Sequence, residues 1–176
     1  VVVERTMASD GGSQIGVRVH PTLVPLDHPL ASVRGSFNAV FVEGGAAGDL
    51  MFYGRGAGGR PTASAVLGDL IDAACNLRQG HAASIGALER ARIAPIDDVT
   101  SAFYLNVEVD DRPGVLAQVA TVFGQHGVSI RSMEQEGLGG EARLVFITHA
   151  ARERDLRSTL QDLRSLDAVR SVGSVL

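Results

Sequence analysis

The period of the apolar positions changes repeatedly along the chain, and each change marks an element boundary. Across "VRVHPTLV" (17–24) apolar and polar residues alternate as far as Pro21, as in a strand with one covered face. "SFNAVFVEG" (36–44) and "GDLMFYG" (48–54) repeat that period, and the glycine-rich "EGGAAG" between them predicts a hairpin. "PLDHPL" (25–30) carries two prolines and reads as a loop or sheet edge. Beyond Gly59 the period becomes helical. Val66, Leu67, Leu70, Ile71 and Ala74 share one face, with Asp69, Asp72 and Asn76 on another. Pro61 suits the first turn, where its missing N–H costs nothing, and the helix is expected to end near Gln79-Gly80. From there to Thr100 the pattern dissolves into small residues, charges and a proline, as in a linker with room for one helical turn.

Regular patterning resumes at Ser101. Phe103, Leu105, Val107 and Val109 alternate with Tyr104, Asn106 and Glu108, predicting a strand with one buried face. Leu116, Val119, Ala120 and Phe123 then recur at helical spacing, with Gly124 or Gly127 as the stop. "VSIRSMEQ" (128–135) and "EARLVFITH" (141–149) are strands around a "GLGG" turn. Leu156, Leu160 and Leu163 mark a second amphipathic helix, and "VRSVGSV" (169–175) is a closing strand. The order β-α-β-β-α-β, with right-handed crossovers, puts both helices on one face of a four-stranded antiparallel sheet. The expected fold class is therefore α+β: a partial β-sheet plus helix over 1–80, a linker over 81–100, and a ferredoxin-like βαββαβ domain over 101–176.

Composition removes several kinds of chemistry. With 45% hydrophobic residues in 176, a packed core is available. A net charge of −4 with dispersed basic residues argues against a nucleic-acid surface. All sixteen basic residues are arginine, so lysine chemistry of every kind is absent from this stretch. Cys75 is the single cysteine, and no two of the five histidines flank an acid at helical spacing, so no metal site is expected. No apolar run approaches the roughly 18–20 residues of a membrane span. With no signal peptide visible, a cytoplasmic location is expected. "VVVERT" opens as the tail of a buried strand, so Val1 is expected to lie inside a longer protein of which this is the C-terminal part.

Two stretches carry candidate chemistry. Gly54, Gly56 and Gly59 have the G-x-G-x-x-G spacing by which a strand–turn–helix brings backbone N–H groups against a pyrophosphate. A dinucleotide fold proper also needs a strand after the helix and an acid about 20 residues on, and neither follows here. Turn glycines without a ligand are the alternative. The second stretch is Asp111-Arg112-Pro113-Gly114, an acidic turn immediately before a helix. Elsewhere the structural readings are preferred: Asp69 and Asp72 as solvated acids, Glu43 as a hairpin charge, His20 and His28 as hydrogen-bonded loop histidines, and Cys75 as a small apolar filler.

The segment "FYLNVEVDDRPGVLAQVATVFGQHGVSI" resembles an ACT domain, a small regulatory module of amino-acid metabolic enzymes, over roughly 101–176. "HPTLVP" (20–25) and "GRGAGGRPTASAVLGD" (54–69) resemble the C-terminal part of the catalytic region of homoserine dehydrogenase. Together the resemblances imply an NAD(P)-dependent oxidoreductase interconverting L-homoserine and aspartate semialdehyde. They imply that the catalytic Lys–Asp pair lies upstream of Val1 and that no catalytic residue is in this chain. Gly58, with Gly56 beside it, would contact the nucleotide. Asp111, Arg112, Pro113, Gly114, Val115 and Leu116 would hold a small amino-acid effector, L-threonine first. Ser129 in "GVSI" stands where the family often has an asparagine. A homo-oligomer, dimer or tetramer, is implied, with neither nucleic-acid nor membrane partners. The rival is a non-catalytic ACT-type amino-acid-binding or dimerisation protein with a degenerate dehydrogenase remnant.

Overall fold

The structure, a computed structural model, describes residues 1–8, 10–81, 90–137 and 139–176. Strands β1 (Val2–Met7) and β2 (Ser13–Arg18) form an antiparallel hairpin with Val2 opposite Arg18. β3 (Phe37–Gly44) and β4 (Gly48–Arg55) form a second, closed by Gly44 opposite Gly48. Gly48 has φ 70°, a left-handed turn position that any side chain would strain. Helix α1 (Gly59–Gln79) ends at Gly80, also left-handed, whose N–H returns to the Asn76 and Leu77 carbonyls. A short 3-10 turn (Ile96–Asp98) falls within the expected linker, whose residues 82–89 lie outside the described residues.

Next come β5 (Thr100–Ser101), β6 (Tyr104–Asp110), α2 (Val115–Gln125), β7 (Ile130–Gly137) and β8 (Glu141–Thr148). They are followed by β9 (Ala151–Arg152), α3 (Glu153–Ser165) and β10 (Val169–Val175). The four long strands pair antiparallel in the order β10-β6-β8-β7, and β5 pairs with β9. This is the expected βαββαβ arrangement. Alternation along β6 and β8 sends Leu105, Val107, Val109, Leu144 and Phe146 to one face, where all are buried. Val119 and Phe123 of α2 and Leu156 and Leu163 of α3 cover them, with the Phe123 and Phe146 rings 5.0 Å apart. Two polar groups in this core are satisfied locally. Thr148 Oγ1 accepts from the Phe103 N–H at 3.0 Å, and Thr159 Oγ1 donates to the Asp155 carbonyl at 2.8 Å. His126 Nε2 and Asp162 Oδ2, 2.7 Å apart, tie the end of α2 to α3.

The chain divides into two compact units: Val1–Leu23 with Arg90–Leu176, and Val24–Glu89. The first hairpin thus groups with the C-terminal sheet. Ile15 bonds through its backbone to Arg92 and Ala94, and Arg92 meets Asp10 at 2.6 Å. That guanidinium bond, with the Gly12 N–H, holds the Asp10 carboxyl below its ordinary value. The strand expected over 17–24 instead ends at Arg18. Pro21 and Pro25 cannot donate to a ladder, which leaves the alternation of that segment without a partner. The opening strand, expected to be buried, is exposed at Val2 and Val3.

Within Val24–Glu89 no described side chain is buried. The apolar stripe of α1 forms at the expected spacing, yet Leu70 is 66% exposed and Val66, Leu67 and Ile71 are exposed beside it. Cys75 is exposed too, which corrects the expectation of an apolar filler. The contrast gives a direct test by urea denaturation of the whole chain. Leu105→Ala is expected to cost about 2–5 kcal/mol, because it empties core volume. Leu70→Ala is expected to stay within about 0.5 kcal/mol. Similar losses for the two would contradict the burial described.

Candidate functional site

The junction of β6 and α2 builds a cavity of about 380 Å³. Its polar rim is the turn Asp110–Gly114; Val109, Leu116 and Leu144 supply its apolar side, and Gln135 reaches in from β7. Gly114 sits at φ 89° and caps α2 without a side chain, so no side chain covers the N-terminus of the helix, whose first N–H, that of Val115, donates to the Arg112 carbonyl at 3.4 Å. The turn is pinned by Asp111 N–H donating to the Gly140 carbonyl at 3.1 Å and Arg112 N–H donating to the Asp110 carbonyl at 3.1 Å.

The two acids of the turn have different partners. Asp110 lies 2.8 Å from Arg170 and 3.3 Å from Arg112, and Arg170 also pairs with Glu141. Asp110 first and Glu141 second raise the Arg170 pKa, although the group is already permanently charged. Asp111 has no arginine among the described residues; the Gln135 amide donates to its Oδ1 at 3.5 Å. A carboxylate without a cation, beside a helix N-terminus and an apolar wall, is complementary to an ammonium, a carboxylate and a short side chain.

Asp111, Arg112, Pro113, Gly114, Val115 and Leu116 are therefore brought together, while Ser129 is not. It lies exposed just before β7, and Gly137 beside Asp111 is at the other end of that strand. Eight residues of strand separate them by about 26 Å. Gln135 was not among the candidates. It lies opposite buried Leu144 in the β7–β8 register, where the pattern calls for an apolar residue, yet is itself exposed. A polar residue at core parity was the available signal.

The glycine run joins β4 to α1. Gly58 is the N-cap of α1, at φ 125° with no side-chain cap, and its carbonyl accepts from the Thr62 N–H at 3.1 Å. Side-chain atoms built at Gly54 or Gly59 would meet nothing within 4 Å, so the backbone there is open to close approach. Gly58 and the uncapped N–H groups that follow it fit a nucleotide phosphate. Gly56 has a separate reason to be glycine: a Cβ there would fall 1.5 Å from Asn38 Nδ2. Beside the run, Phe37 and Tyr53 stack at 4.8 Å and the Arg55 guanidinium lies over Phe37. The loop histidines make local bonds. His28 Nδ1 accepts from the Leu30 N–H at 3.1 Å, and His20 Nδ1 is 2.7 Å from the Pro21 carbonyl. No metal-holding group of side chains occurs among the described residues, nor does any helix long and apolar enough to cross a membrane.

One chain thus joins a glycine-rich strand-to-helix turn to a separate βαββαβ module with a cavity at its first turn. Comparison with known proteins gives the family. Residues 3–71 match the homoserine dehydrogenase family model and residues 103–168 the ACT domain model. The homoserine dehydrogenase of Corynebacterium glutamicum is 47% identical over 176 residues, covering 99% of this chain and 40% of that protein. That of Mycobacterium tuberculosis H37Rv is 46% identical over 185 residues. The crystal structure of a homoserine dehydrogenase from Thiobacillus denitrificans superposes with a TM-score of 0.84 at 33% identity, over 98% of this chain and 39% of that one. The chain belongs to the homoserine dehydrogenase family, an oxidoreductase family, and carries an ACT domain. It spans about two fifths of the length of the curated relatives it matches.

Two glycines of α2 and its cap give opposite expectations in thermal melts. Gly114→Ala forces a side chain into the left-handed region and is expected to destabilise by about 1 kcal/mol or more. Gly124→Ala, inside the helix with open space around it, is expected to stabilise by about 0.5–1 kcal/mol. The same sign for both would contradict the backbone described.

Proposed function

We propose that the chain is the C-terminal part of an NAD(P)-dependent homoserine dehydrogenase that interconverts L-homoserine and L-aspartate 4-semialdehyde for threonine, methionine and isoleucine synthesis. The observation that carries this is the succession, in one chain, of a homoserine dehydrogenase segment and an ACT domain. The reactive Lys–Asp pair belongs to the part of the whole protein outside these residues, in keeping with a chain that has no lysine. When bound, NAD(P) supplies the hydride acceptor or donor. This chain's part is to present the Gly58 backbone and the N-terminus of α1 to the nucleotide phosphates. The exposed stripe of α1 is then covered by the remainder of the catalytic region. Leu70→Asp should accordingly destabilise the whole enzyme while leaving the 176-residue chain nearly unaffected.

The ACT domain acts as the feedback sensor, and L-threonine is the effector. Its ammonium meets Asp111, its carboxylate the N-terminus of α2, and its short side chain the wall formed by Val109, Leu116 and Leu144. Ser129 joins such a site only from a second copy, consistent with a dimer or higher homo-oligomer. Regulation is linkage: threonine favours one arrangement of the paired domains and thereby biases the attached catalytic parts. The setting is cytoplasmic biosynthesis, without nucleic-acid or membrane partners.

Two measurements test this reading. L-threonine at 100 times its dissociation constant is expected to stabilise the chain by about 2.7 kcal/mol in thermal melts. Asp111→Ala should abolish that shift, and no shift with the unaltered chain would remove the sensor assignment. Homoserine oxidation by this chain alone is expected to read zero; measurable turnover would overturn the placement of the reactive pair. The rival reading, a non-catalytic binding protein with a dehydrogenase remnant, is decided by the coding sequence before Val1. A dinucleotide fingerprint followed by a Lys–Asp site supports the enzyme, and a start codon near Val1 supports the remnant.

A further inference from the structure

A second cavity, also of about 380 Å³, lies where the end of β2 meets the start of α3. Its polar end is Arg18, the last residue of β2, and Glu153, the first of α3, with Nη2 and Oε2 2.6 Å apart. The two side chains are 10% and 24% exposed, so the ion pair is held largely out of water. A charge so enclosed is costly unless its remaining hydrogen-bonding groups find partners. Glu153 accepts from one of the five guanidinium N–H donors, and the Phe103 ring centroid lies 5.5 Å from Arg18 Cζ. Phe103, Leu156, Leu160 and Val175 supply apolar lining, and Arg157, which also lines the cavity, is engaged by Asp97 at 2.8 Å. The four apolar residues continue the main core to its margin: Phe103 and Leu156 are buried, Leu160 and Val175 half-buried.

A guanidinium and a carboxylate side by side, facing branched aliphatic side chains, match a guest that is itself zwitterionic at one end and hydrocarbon at the other. We propose that this cavity binds an aliphatic α-amino acid. The ligand's carboxylate accepts from Arg18, its ammonium donates to Glu153, and its side chain rests on Leu156, Leu160 and Val175. With Arg157 paired to Asp97, the Arg18 and Glu153 charges sum to zero, so a guest of zero net charge matches both, whereas a simple anion or amine matches only one. The volume is that of a small-molecule site.

This cavity is separate from the Asp111 turn. Phe103 precedes β6 and Asp111 follows it, about 26 Å along the strand. One wall belongs to the βαββαβ module and the other to β2, which runs directly into His20-Pro21. Occupancy would tie these two elements together more firmly.

The test follows amide chemical shifts of the isotope-labelled 176-residue chain during titration with L-leucine. Isocaproate, the same hydrocarbon without the ammonium, and isoamylamine, without the carboxylate, serve as probes of each charge. Leucine is expected to shift amides around Arg18, Phe103, Leu156 and Leu160, with each analogue binding at least about tenfold more weakly. Leu160→Phe, which crowds the apolar lining, and Arg18→Met should each weaken leucine by about tenfold or more while Asp111–Leu116 resonances stay in place. Asp111→Ala should leave leucine binding unchanged, which separates this site from the proposed threonine sensor. Should Arg18→Met fail to fold, Leu160→Phe decides. The proposal is overturned if leucine moves no amide around the cavity at tens of millimolar. It is equally overturned if the shifts map to Asp111–Leu116, if either analogue binds as tightly as leucine, or if Leu160→Phe leaves the affinity unchanged.

Discussion

A strand pair or helix with one apolar face holds its shape only where something covers that face, and this requirement is met very unevenly along the chain. In the βαββαβ module the cover is encoded within about 75 residues. Helices α2 and α3 cover Leu105, Val107, Leu144 and Phe146, and the resulting core includes Phe123 and Leu163 at 1% and 0% exposure. In residues 24–81 the same alternation and the same helical stripe are written just as clearly, yet no described side chain there is buried. The ACT module thus has its own core, whereas residues 24–81 have secondary structure whose apolar faces are not buried within this chain.

That unevenness explains what could be read from the residues. Alternation and helical periodicity are local signals, so the β3–β4 hairpin, α1 and every element of the βαββαβ module follow from them. The first hairpin does not. Its second strand is Ser13–Arg18 and not 17–24, because prolines at 21 and 25 veto a ladder that alternation alone would permit. Its association with residues beyond 90 rests on Asp10 with Arg92 and on Arg18 with Glu153, pairs separated by 82 and 135 positions. Single charges so far apart carry no period and leave no trace in a linear reading.

The candidate sites show the same division between local and distant information. The Asp111–Leu116 turn is contiguous and could be found as a string, whereas the difference between Asp110 and Asp111 could not. Arg170 and Glu141, from β10 and β8, engage Asp110 and leave its neighbour to Gln135. The glycine run was equally visible, but the reason for Gly56 was not, since it lies in the position of Asn38 on the preceding hairpin. A glycine can be required by the protein's own packing as readily as by a ligand.

The path of the backbone has a consequence for dissection. The first compact unit is assembled from two separated stretches of chain, Val1–Leu23 and Arg90–Leu176. A cut before residue 101 would therefore divide that unit, parting Glu153 from Arg18 and Arg157 from Asp97. The linear segment and the folding unit are different objects.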